Sequence, residues 1–314
     1  MRFSVSVNNQ QAHPIIQLKD KQTCCQAEIY AFGGFINAFT LPLKGKIHNC
    51  IDGFSSVADA RKNISNSFKS AKLSPFVCRM RNGTYSLNKQ QFKVHKHYLG
   101  EHAIHGLIYD AQYEIKEVDA TETNASVQLA YTYESADQGY PFAFLIELVW
   151  TLSIGNKITV TTKVKHQNKE VIPYADGWHP YFTLGGKVDN CYLQFNGNTQ
   201  LVFDQVLLPT GKKKKDSRFL KGSSLKGIFL DNSFEFTPNQ INQCILQNKE
   251  LKLIVEPDNS YPILQIYTPL SRKSIAIENL TGAPDNFNNG IGLLLLEPKK
   301  EYFFTTAYSV FPVQ

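Results

Sequence analysis

Residues 142–165, FAFLIELVWTLSIGNKITVTTKVK, decide the fold class of this chain. From Ile158 to Val164 the sequence places isoleucine, valine, threonine and valine at every second position, with threonine and lysine between them. This two-residue period is typical of a strand with one buried face. The run from Phe142 to Leu152 is also rich in strand-forming residues, and Ile154-Gly155-Asn156 is typical of a tight turn. The stretch therefore predicts an antiparallel hairpin.

Similar strand-length runs recur through the second half of the chain, separated by clusters of Gly, Pro, Asn and Asp that indicate loops. They cover residues 191–195, 251–255, 263–267, 274–277, 293–296 and 302–310.

Helix-like periodicity is scarce along the chain. The best stretch is Ser56–Asn63, with Ser55 or Ser56 as its N-cap. Nothing in the sequence marks a linker or an internal repeat. We therefore predict an all-β protein, a large antiparallel β-sandwich with few short helices, formed by residues 1–314 as a single domain. A helix content above about a quarter would contradict this prediction.

The composition indicates a well-packed protein, with 42% hydrophobic and 12% aromatic residues in a chain of 314. The net charge of +6 is mild, and part of it comes from one run, Lys212–Lys215. Four adjacent like charges favour a mobile surface loop without a ligand role. Nucleic-acid binding is not expected, because basic residues with interleaved aromatics do not follow any one surface pattern.

The chain shows no targeting or membrane signal in its sequence. Residues Met1–Val7 are followed at once by polar Asn8, too early for a secretory apolar core, and no apolar run approaches the ~20 residues that span a bilayer. Six cysteines are scattered without the spacing of a zinc site or a disulfide framework. We expect a cytoplasmic protein without a membrane partner.

Three distant segments each hold titratable side chains in an apolar or aromatic frame. They contain His102 and His105, then His179, and then Glu278. Two imidazoles and a carboxylate can give and take protons near pH 7. Each has a structural alternative: Glu278 could be a surface carboxylate at a strand end, and His179 a core histidine. Metal binding by His102 and His105 is the weaker interpretation, because on a strand or loop their spacing does not place both rings on one ion.

Aromatic residues around His179 are typical of a sugar site, where ring faces pack on the sugar and polar tips bind its hydroxyls. The residues expected to wall such a cleft are Trp178, Tyr181, Phe182 and Tyr267.

Two further polar residues fit such a site. Arg79 precedes Asn82-Gly83, a hairpin signal, and its forked donors suit sugar hydroxyls or carboxylates; otherwise it is an edge-strand charge. Asp231 lies between apolar flanks, where the alternative is an Asx turn.

The motifs together resemble the aldose 1-epimerase (galactose mutarotase-like) family over about residues 70–312. The resemblance rests on their order along the chain: Arg79–Tyr85, His105-Gly106, His179–Phe182, Leu230-Asp231, and Glu278 followed by Pro284-Asp285. Three departures mark a divergent member. Leu107 follows Gly106 where the family has a second glycine, Tyr113 stands for a tryptophan, and Cys78 replaces the asparagine before the arginine.

The resemblance implies the galactose mutarotase-like fold and an enzyme that interconverts the anomers of a hexose or related sugar. It implies that Glu278 is the general base and His179 the general acid, and that Arg79, His105 and Asp231 bind the substrate. It also implies that neither a metal nor another cofactor takes part, and that the partner is a small-molecule sugar, free or phosphorylated.

Three alternatives remain open on the sequence. A non-catalytic carbohydrate-binding or sugar-sensing protein could use the same fold, although a pure binder needs neither proton-transfer residue. A glycoside hydrolase could pair Asp231 with Glu278, which leaves His179 without a role. A metal-dependent, cupin-like enzyme is the third alternative.

Overall fold

A computed structural model describes residues 1–9 and 13–313 of the chain. Half of the residues are in strands and 7% in helix, which confirms the all-β prediction. The helices in the described ranges are α1 (Val57–Ser67) and α2 (Asn286–Asn289), and short 3₁₀ turns occur at Arg81–Gly83 and Val188–Asn190.

The first part of the chain supplies an N-terminal sheet and one half of the large sheet. Its strands are β1 (Phe3–Asn8), β2 (Ile15–Asp20), β3 (Gln26–Tyr30), β4 (Ile36–Leu43), β5 (Lys46–Asn49), β6 (Ala71–Leu73), β7 (Arg79–Met80), β8 (Thr84–Leu87), β9 (Gln90–Lys93), β10 (Tyr98–Leu99), β11 (His102–Ile104), β12 (Glu114–Ala120), β13 (Asn124–Tyr133), β14 (Phe144–Ser153) and β15 (Lys157–Lys165).

The second part supplies most of the sheet that carries the site. Its strands are β16 (Ile172–Tyr174), β17 (Gly177–His179), β18 (Tyr181–Phe182), β19 (Tyr192–Phe195), β20 (Thr199–Phe203), β21 (Pro209–Lys215), β22 (Ser223–Ser224), β23 (Asp231–Glu235), β24 (Cys244–Gln247), β25 (Leu251–Pro257), β26 (Ile263–Tyr267), β27 (Ile275–Leu280), β28 (Leu294–Leu296) and β29 (Glu301–Pro312).

Two large sheets pack against each other. The nine-stranded sheet has the order β12-β13-β14-β15-β29-β25-β24-β19-β22, and the eight-stranded sheet has the order β21-β20-β23-β26-β27-β17-β6, with β18 also paired to β27. Side chains from their inner faces meet: the rings of Trp150 and Trp178 lie 5.3 Å apart, and those of Phe182 and Tyr308 lie 5.2 Å apart. This interdigitation is that of a sandwich.

The hairpin predicted from residues 142–165 is confirmed. Strands β14 and β15 pair in register from Leu145 with Lys165 to Ser153 with Lys157. The turn is closed by Gly155 and Asn156, whose φ angles of 88° and 50° are left-handed, as a tight hairpin turn requires.

Helix α1 begins where the sequence predicts and continues four residues further. Ser56 is the N-cap, and its side chain accepts a hydrogen bond from the Asp59 backbone N–H at 3.1 Å. The helix buries Val57, Ala60 and Ile64, and it ends at Phe68, which has a left-handed φ of 53°.

The lysine run is not a loop, and that prediction was wrong. Residues 212–215 lie in β21, the edge strand of the eight-stranded sheet, paired with β20. The run is exposed, and Lys213 forms an ion pair with Glu235 at 2.6 Å. Lysines on an edge strand oppose pairing with a second chain, so the charge cluster fits a strand at this place.

All six cysteines are free thiols, and five of them are buried. In the described part of the chain, no helix is long and apolar enough to cross a membrane.

Candidate active site

A cavity of about 240 Å³ opens on one face of the eight-stranded sheet. Arg79, His105, His179, Asp231 and Glu278, the five residues singled out by the sequence, all line it. They come from β7, the end of β11, β17, β23 and β27, so only long-range pairing brings them together.

A row of cross-strand neighbours forms the centre of the site. Strands β17 and β27 pair Trp178 with Asn279, and β18 continues the same register by pairing Tyr181 with Ala276. Between these pairs, His179 lies opposite Glu278. Glu278 in turn pairs with Gln265 on β26. Because side chains alternate between the faces of a sheet, this row faces the cavity, and the next row faces the sandwich core.

Glu278 is 2% exposed and lies inside β27, which continues to Leu280. The expectation that it ends a strand was therefore wrong. Both flanking positions, Ile277 and Asn279, are fully buried in the core. The Glu278 side chain therefore faces the cavity, while the side chains of Ile277 and Asn279 on the opposite face of β27 pack in the core of the sandwich.

His179 is held by its backbone and faces the carboxylate with its ring. Its carbonyl accepts a hydrogen bond from the Ser70 N–H at 2.9 Å. Its Nε2 lies 3.4 Å from Oε1 of Glu278. That distance is slightly longer than a hydrogen bond, as is common for acid–base couples without substrate. The ring of Tyr181 packs 5.0 Å from the imidazole.

His105 completes the polar floor of the cavity. Its φ of 63° and that of Gly106, 79°, are both left-handed. A Cβ on Gly106 would lie 2.2 Å from the Ser74 carbonyl oxygen, so only glycine fits there. The turn brings the His105 ring 5.0 Å from the His179 ring and 4.6 Å from Phe68, which caps helix α1.

Three buried polar atoms in this cluster have no hydrogen-bond partner among the described residues: Nδ1 of His105, Nδ1 of His179 and Oε2 of Glu278. Unpaired buried polar atoms are rare in proteins because each one costs free energy. All three residues line the cavity, so these atoms fit a polar ligand.

Burial controls the protonation of the central couple. Desolvation raises the pKa of Glu278 well above its ordinary range, and the nearby Asp231 raises it further. Desolvation lowers the pKa of His179 to about 4. Both shifts favour the neutral forms, with the shared proton on Glu278 rather than on His179.

Arg79 is placed by a turn that differs from the predicted hairpin. Asn82-Gly83 does not join two paired strands: β7 pairs with β11, and the next strand, β8, pairs with β9 in another sheet. Asn82 has a left-handed φ of 51°, as such a turn requires, but the chain then leaves the plane of β7. The Arg79 carbonyl accepts a hydrogen bond from the Asp285 N–H at 2.7 Å, which ties the loop after β27 to β7.

His102 stabilises the turn at Asn82-Gly83. Its Nδ1 accepts a hydrogen bond from the Asn82 N–H at 3.1 Å, and the side chain is buried. Across the described ranges, no group of three His, Cys, Asp or Glu side chains is arranged to hold a metal ion.

Asp231 begins strand β23 and belongs to a hydrogen-bonded chain of side chains. Gln265 donates to Oδ1 of Asp231 at 2.8 Å, and the Ser233 hydroxyl donates to Oε1 of Gln265 at 2.5 Å. Burial raises the pKa of Asp231, while Arg79 and Gln265 oppose that rise. Gln265 also lines the cavity, and sequence reasoning missed it. Its signal was available, since two-residue periodicity on β26 predicts that Gln265 shares a face with Tyr267.

The aromatic wall is only partly as predicted. Tyr181 and Tyr267 line the cavity, but Trp178 and Phe182 face the core, where they pack on Trp150 and Tyr308. The two-residue period explains the difference, because Trp178 is adjacent to His179 and therefore points to the opposite face.

The mouth of the cavity is formed by the α1 terminus, β10 and the β20–β21 hairpin. Its lining combines apolar Phe68, Leu99, Phe203 and Leu207 with polar Ser65, Asn66 and Ser67. No sequence pattern connects these segments.

The strand order and the cavity together define a galactose mutarotase-like β-sandwich. A family model described as Aldose 1-epimerase matches residues 14–309, nearly the whole chain. The chain therefore belongs to the aldose 1-epimerase family, and the resemblance found in the sequence is confirmed.

Relatives agree with this assignment. The Uncharacterized protein YihR of Escherichia coli K12 is 28% identical over 240 residues, covering 73% of this chain and 75% of that protein. The GalM/aldose epimerase homologue from C. elegans has a TM-score of 0.85 at 19% identity and covers 96% of this chain and 100% of its own. The galactose 1-epimerase from Lactobacillus acidophilus NCFM has a TM-score of 0.84 at 17% identity, with both chains fully covered. At such identities the solved structures support the fold.

Proposed function

We propose that this protein is an aldose 1-epimerase that interconverts the α and β anomers of a monosaccharide by acid–base opening and closure of the sugar ring. The observation that supports this most strongly is the couple of His179 and Glu278, 3.4 Å apart in a cavity. A carboxylate and an imidazole that hold one proton between them can take a proton from one sugar oxygen while giving one to another.

The chemistry balances on this couple. With the shared proton on His179, Glu278 accepts the proton of the anomeric hydroxyl while His179 protonates the ring oxygen. The bond between C1 and the ring oxygen breaks and C1 becomes an aldehyde carbonyl. Rotation about C1–C2 and closure on the other face give the second anomer and return both protons.

Desolvation alone favours the uncharged arrangement, with the proton on Glu278. The active arrangement places opposite charges on His179 and Glu278 at close range, where their attraction offsets part of the desolvation cost. Sugar hydroxyls in the cavity supply further hydrogen bonds to both charges. Substrate binding therefore moves the couple toward its active form.

The remaining cavity residues suit substrate binding. Arg79 offers forked donors, and Asp231 offers a carboxylate that Gln265 has already oriented. His105 lies beside His179 and presents an unpaired Nδ1. Together they can fix the hydroxyls of a sugar so that its anomeric carbon lies at the couple.

The cavity volume of about 240 Å³ is at the low end for ligand sites and suits a single sugar unit. This observation favours a monosaccharide over an oligosaccharide, and so an epimerase over a hydrolase of polymers.

Anomer exchange followed by NMR tests the proposal. The wild-type protein and Glu278→Gln are compared on a panel of free and 6-phosphorylated hexoses, with Glu235→Gln, a half-buried carboxylate at the end of β23 outside the cavity, as the matched control. We expect saturable exchange from the wild type and the control, and a loss of ~10²-fold or more in Glu278→Gln. Binding of a sugar by the wild type without exchange would instead identify a carbohydrate-binding protein.

A further inference from the structure

Directly behind the catalytic row lies a fully buried ion pair, Lys72 with Asp176. Both side chains are 0% exposed, and Nζ of Lys72 is 2.5 Å from Oδ1 of Asp176. Removing two charges from water costs several kcal/mol each, and such a pair is often replaced by apolar residues without loss of stability. Stability alone therefore does not explain why this pair is present.

On the lysine side, the pair is stabilised by two hydrogen bonds and one contact with an aromatic ring. The ammonium donates to Asp176 and to the Thr162 hydroxyl at 3.0 Å, and it lies 4.3 Å from the centre of the Trp178 ring. Thr162 belongs to β15 of the nine-stranded sheet. Lys72 thus joins the two sheets at one defined point.

The carboxylate side is also satisfied. The Tyr261 hydroxyl donates to Oδ1 of Asp176 at 2.6 Å, and the Tyr174 hydroxyl donates to Oδ2 at 3.1 Å. The Ser74 hydroxyl in turn donates to Tyr174 at 2.9 Å. Burial lowers the pKa of Lys72 to about 8, against the attraction of Asp176. Lys72 therefore depends on Asp176 to remain charged.

This network reaches His179 through β6. Strand β6 pairs with β17, so that Lys72 lies opposite Trp178 and Ala71 lies opposite His179. Displacing Lys72 along β6 therefore displaces the backbone beside the imidazole.

The same network reaches the segment that carries Glu278. The Asp176 N–H donates to the Thr281 hydroxyl at 2.9 Å, and the Thr281 N–H donates to the Asp176 carbonyl at 2.9 Å. Thr281 immediately follows β27, three residues after Glu278.

A third connection reaches His105. The carbonyl of Ser74, just after β6, accepts a hydrogen bond from the Leu107 N–H at 2.7 Å and lies beside Gly106. The three segments that supply the histidines and the carboxylate therefore all contact residues joined to this one ion pair.

We propose that Lys72 and Asp176 are a positioning pair for the reaction: their unique pairing fixes β6, β17 and β27 against one another and so holds His179 and Glu278 in contact. This inference rests on the proposed function. A buried polar contact that admits one arrangement can specify register, and a shift of one residue would turn the catalytic row to the wrong face. A misplacement of about 1 Å can cost ~10²-fold in rate.

The first test removes both charges together and keeps their shapes, in Lys72→Met with Asp176→Asn. Net charge is unchanged, and Tyr261→Phe below leaves both charges in place, so a change at His179 in both variants reports its position rather than a lost field. We expect kcat for anomer exchange to fall at least ~10-fold with KM within ~3-fold. We also expect the ¹⁵N-imidazole signal of His179, assigned by its absence in His179→Asn, to shift or broaden.

Two single substitutions, each of which removes only one hydrogen bond, provide a second test if the double variant does not fold. Tyr261→Phe removes one hydrogen bond to Asp176, whereas Tyr85→Phe removes a buried tyrosine hydrogen bond elsewhere, to the Gly139 carbonyl at 2.9 Å. We expect both to lose similar thermal stability and only Tyr261→Phe to lose kcat, by ~3-fold or more. Equal kcat in these two variants would overturn the positioning role.

The His179 signal separates this inference from the proposed function. If the wild type exchanges no sugar, the proposed function fails, and the signal alone then decides the positioning role. A His179 signal unchanged in the double variant, or in Tyr261→Phe if only that variant folds, shows that the pair does not position the imidazole.

Discussion

His179 and Glu278 are cross-strand neighbours: the register that pairs Trp178 with Asn279 and Tyr181 with Ala276 places the imidazole directly opposite the carboxylate. Nε2 of His179 and Oε1 of Glu278 are 3.4 Å apart. The couple is therefore a property of sheet pairing, and its distance is set by the spacing of adjacent strands.

In the proposed mechanism the two residues act in one concerted step, so their substitutions should not be additive. We expect Glu278→Gln and His179→Asn each to lower kcat by ~10²-fold or more, and the double variant to be little worse than either. Arg79→Ala should instead act mainly through KM. Steady-state kinetics by polarimetry measure all four. Losses that multiply in the double variant would show that the two groups act independently.

The pH dependence of kcat/KM should reflect the pKa shifts that burial causes in His179 and Glu278. Because the pKa of His179 is lowered to about 4, a second proton joins the couple only in acid, so kcat/KM should stay flat through pH 6.5. It should fall near pH 4, and again in alkali where Glu278, with its raised pKa, loses the shared proton. Initial rates corrected for the spontaneous reaction test this. An acid limb centred at pH 6.5 would mean that His179 titrates as an exposed imidazole does.

Ser233 should influence affinity through Gln265. Its hydroxyl donates to the Gln265 carbonyl oxygen and so keeps the amide N–H groups toward Asp231. Ser233→Ala removes that donor, and a lost hydrogen bond of about 1 kcal/mol predicts a ~5-fold rise in KM with kcat nearly unchanged. Ser223→Ala, on β22, is the control. An unchanged KM would show that the amide keeps its orientation without the serine.

The lysines of β21 should protect an edge rather than bind substrate. Replacing Lys212–Lys215 with serine should leave exchange activity within a few-fold and increase self-association, measured by light scattering. A large loss confined to phosphorylated sugars would show instead that this strand binds phosphate.

Acid stability should depend on one N-terminal ion pair. Arg2 contacts Asp20 at 2.6 Å and, with backbone and Thr23 donors, lowers the pKa of that buried carboxyl from 3.8 to about 2. A depressed carboxyl pKa stabilises the fold above pH 3.8, and the effect is lost as pH falls through about 2. Asp20→Asn should therefore cost ~2 kcal/mol of unfolding free energy at pH 7 and almost nothing near pH 2. Urea titrations at both values provide the measurement, and an equal cost at both would contradict it.

Local chemistry made much of this structure predictable from sequence. Two-residue periodicity predicted the β14–β15 hairpin and six of the fourteen strands after it, and the ordered motifs identified five of the residues that line the cavity. Each of these signals is carried by adjacent residues.

What the sequence did not predict depends on partners distant along the chain. Asn82-Gly83 forms a turn, but the strands on either side of it do not pair with each other. Strand β7 pairs with β11 and strand β8 pairs with β9, and the turn sequence does not specify these partners. The mouth residues Phe68 and Leu207 meet only because α1 and the β20–β21 loop converge. Lysine repulsion argued for a loop at residues 212–215, yet pairing with β20 prevailed.

The mouth and the polar floor of the cavity are built differently. The floor lies on paired central strands, whereas the mouth comes from a helix end and from the β20–β21 hairpin at the edge of the same sheet. Loops tolerate exchange and insertion far better than central strands do. Substitutions in the mouth can therefore change what enters the cavity, while the pairing of His179 with Glu278 on the central strands beneath is inherited unchanged.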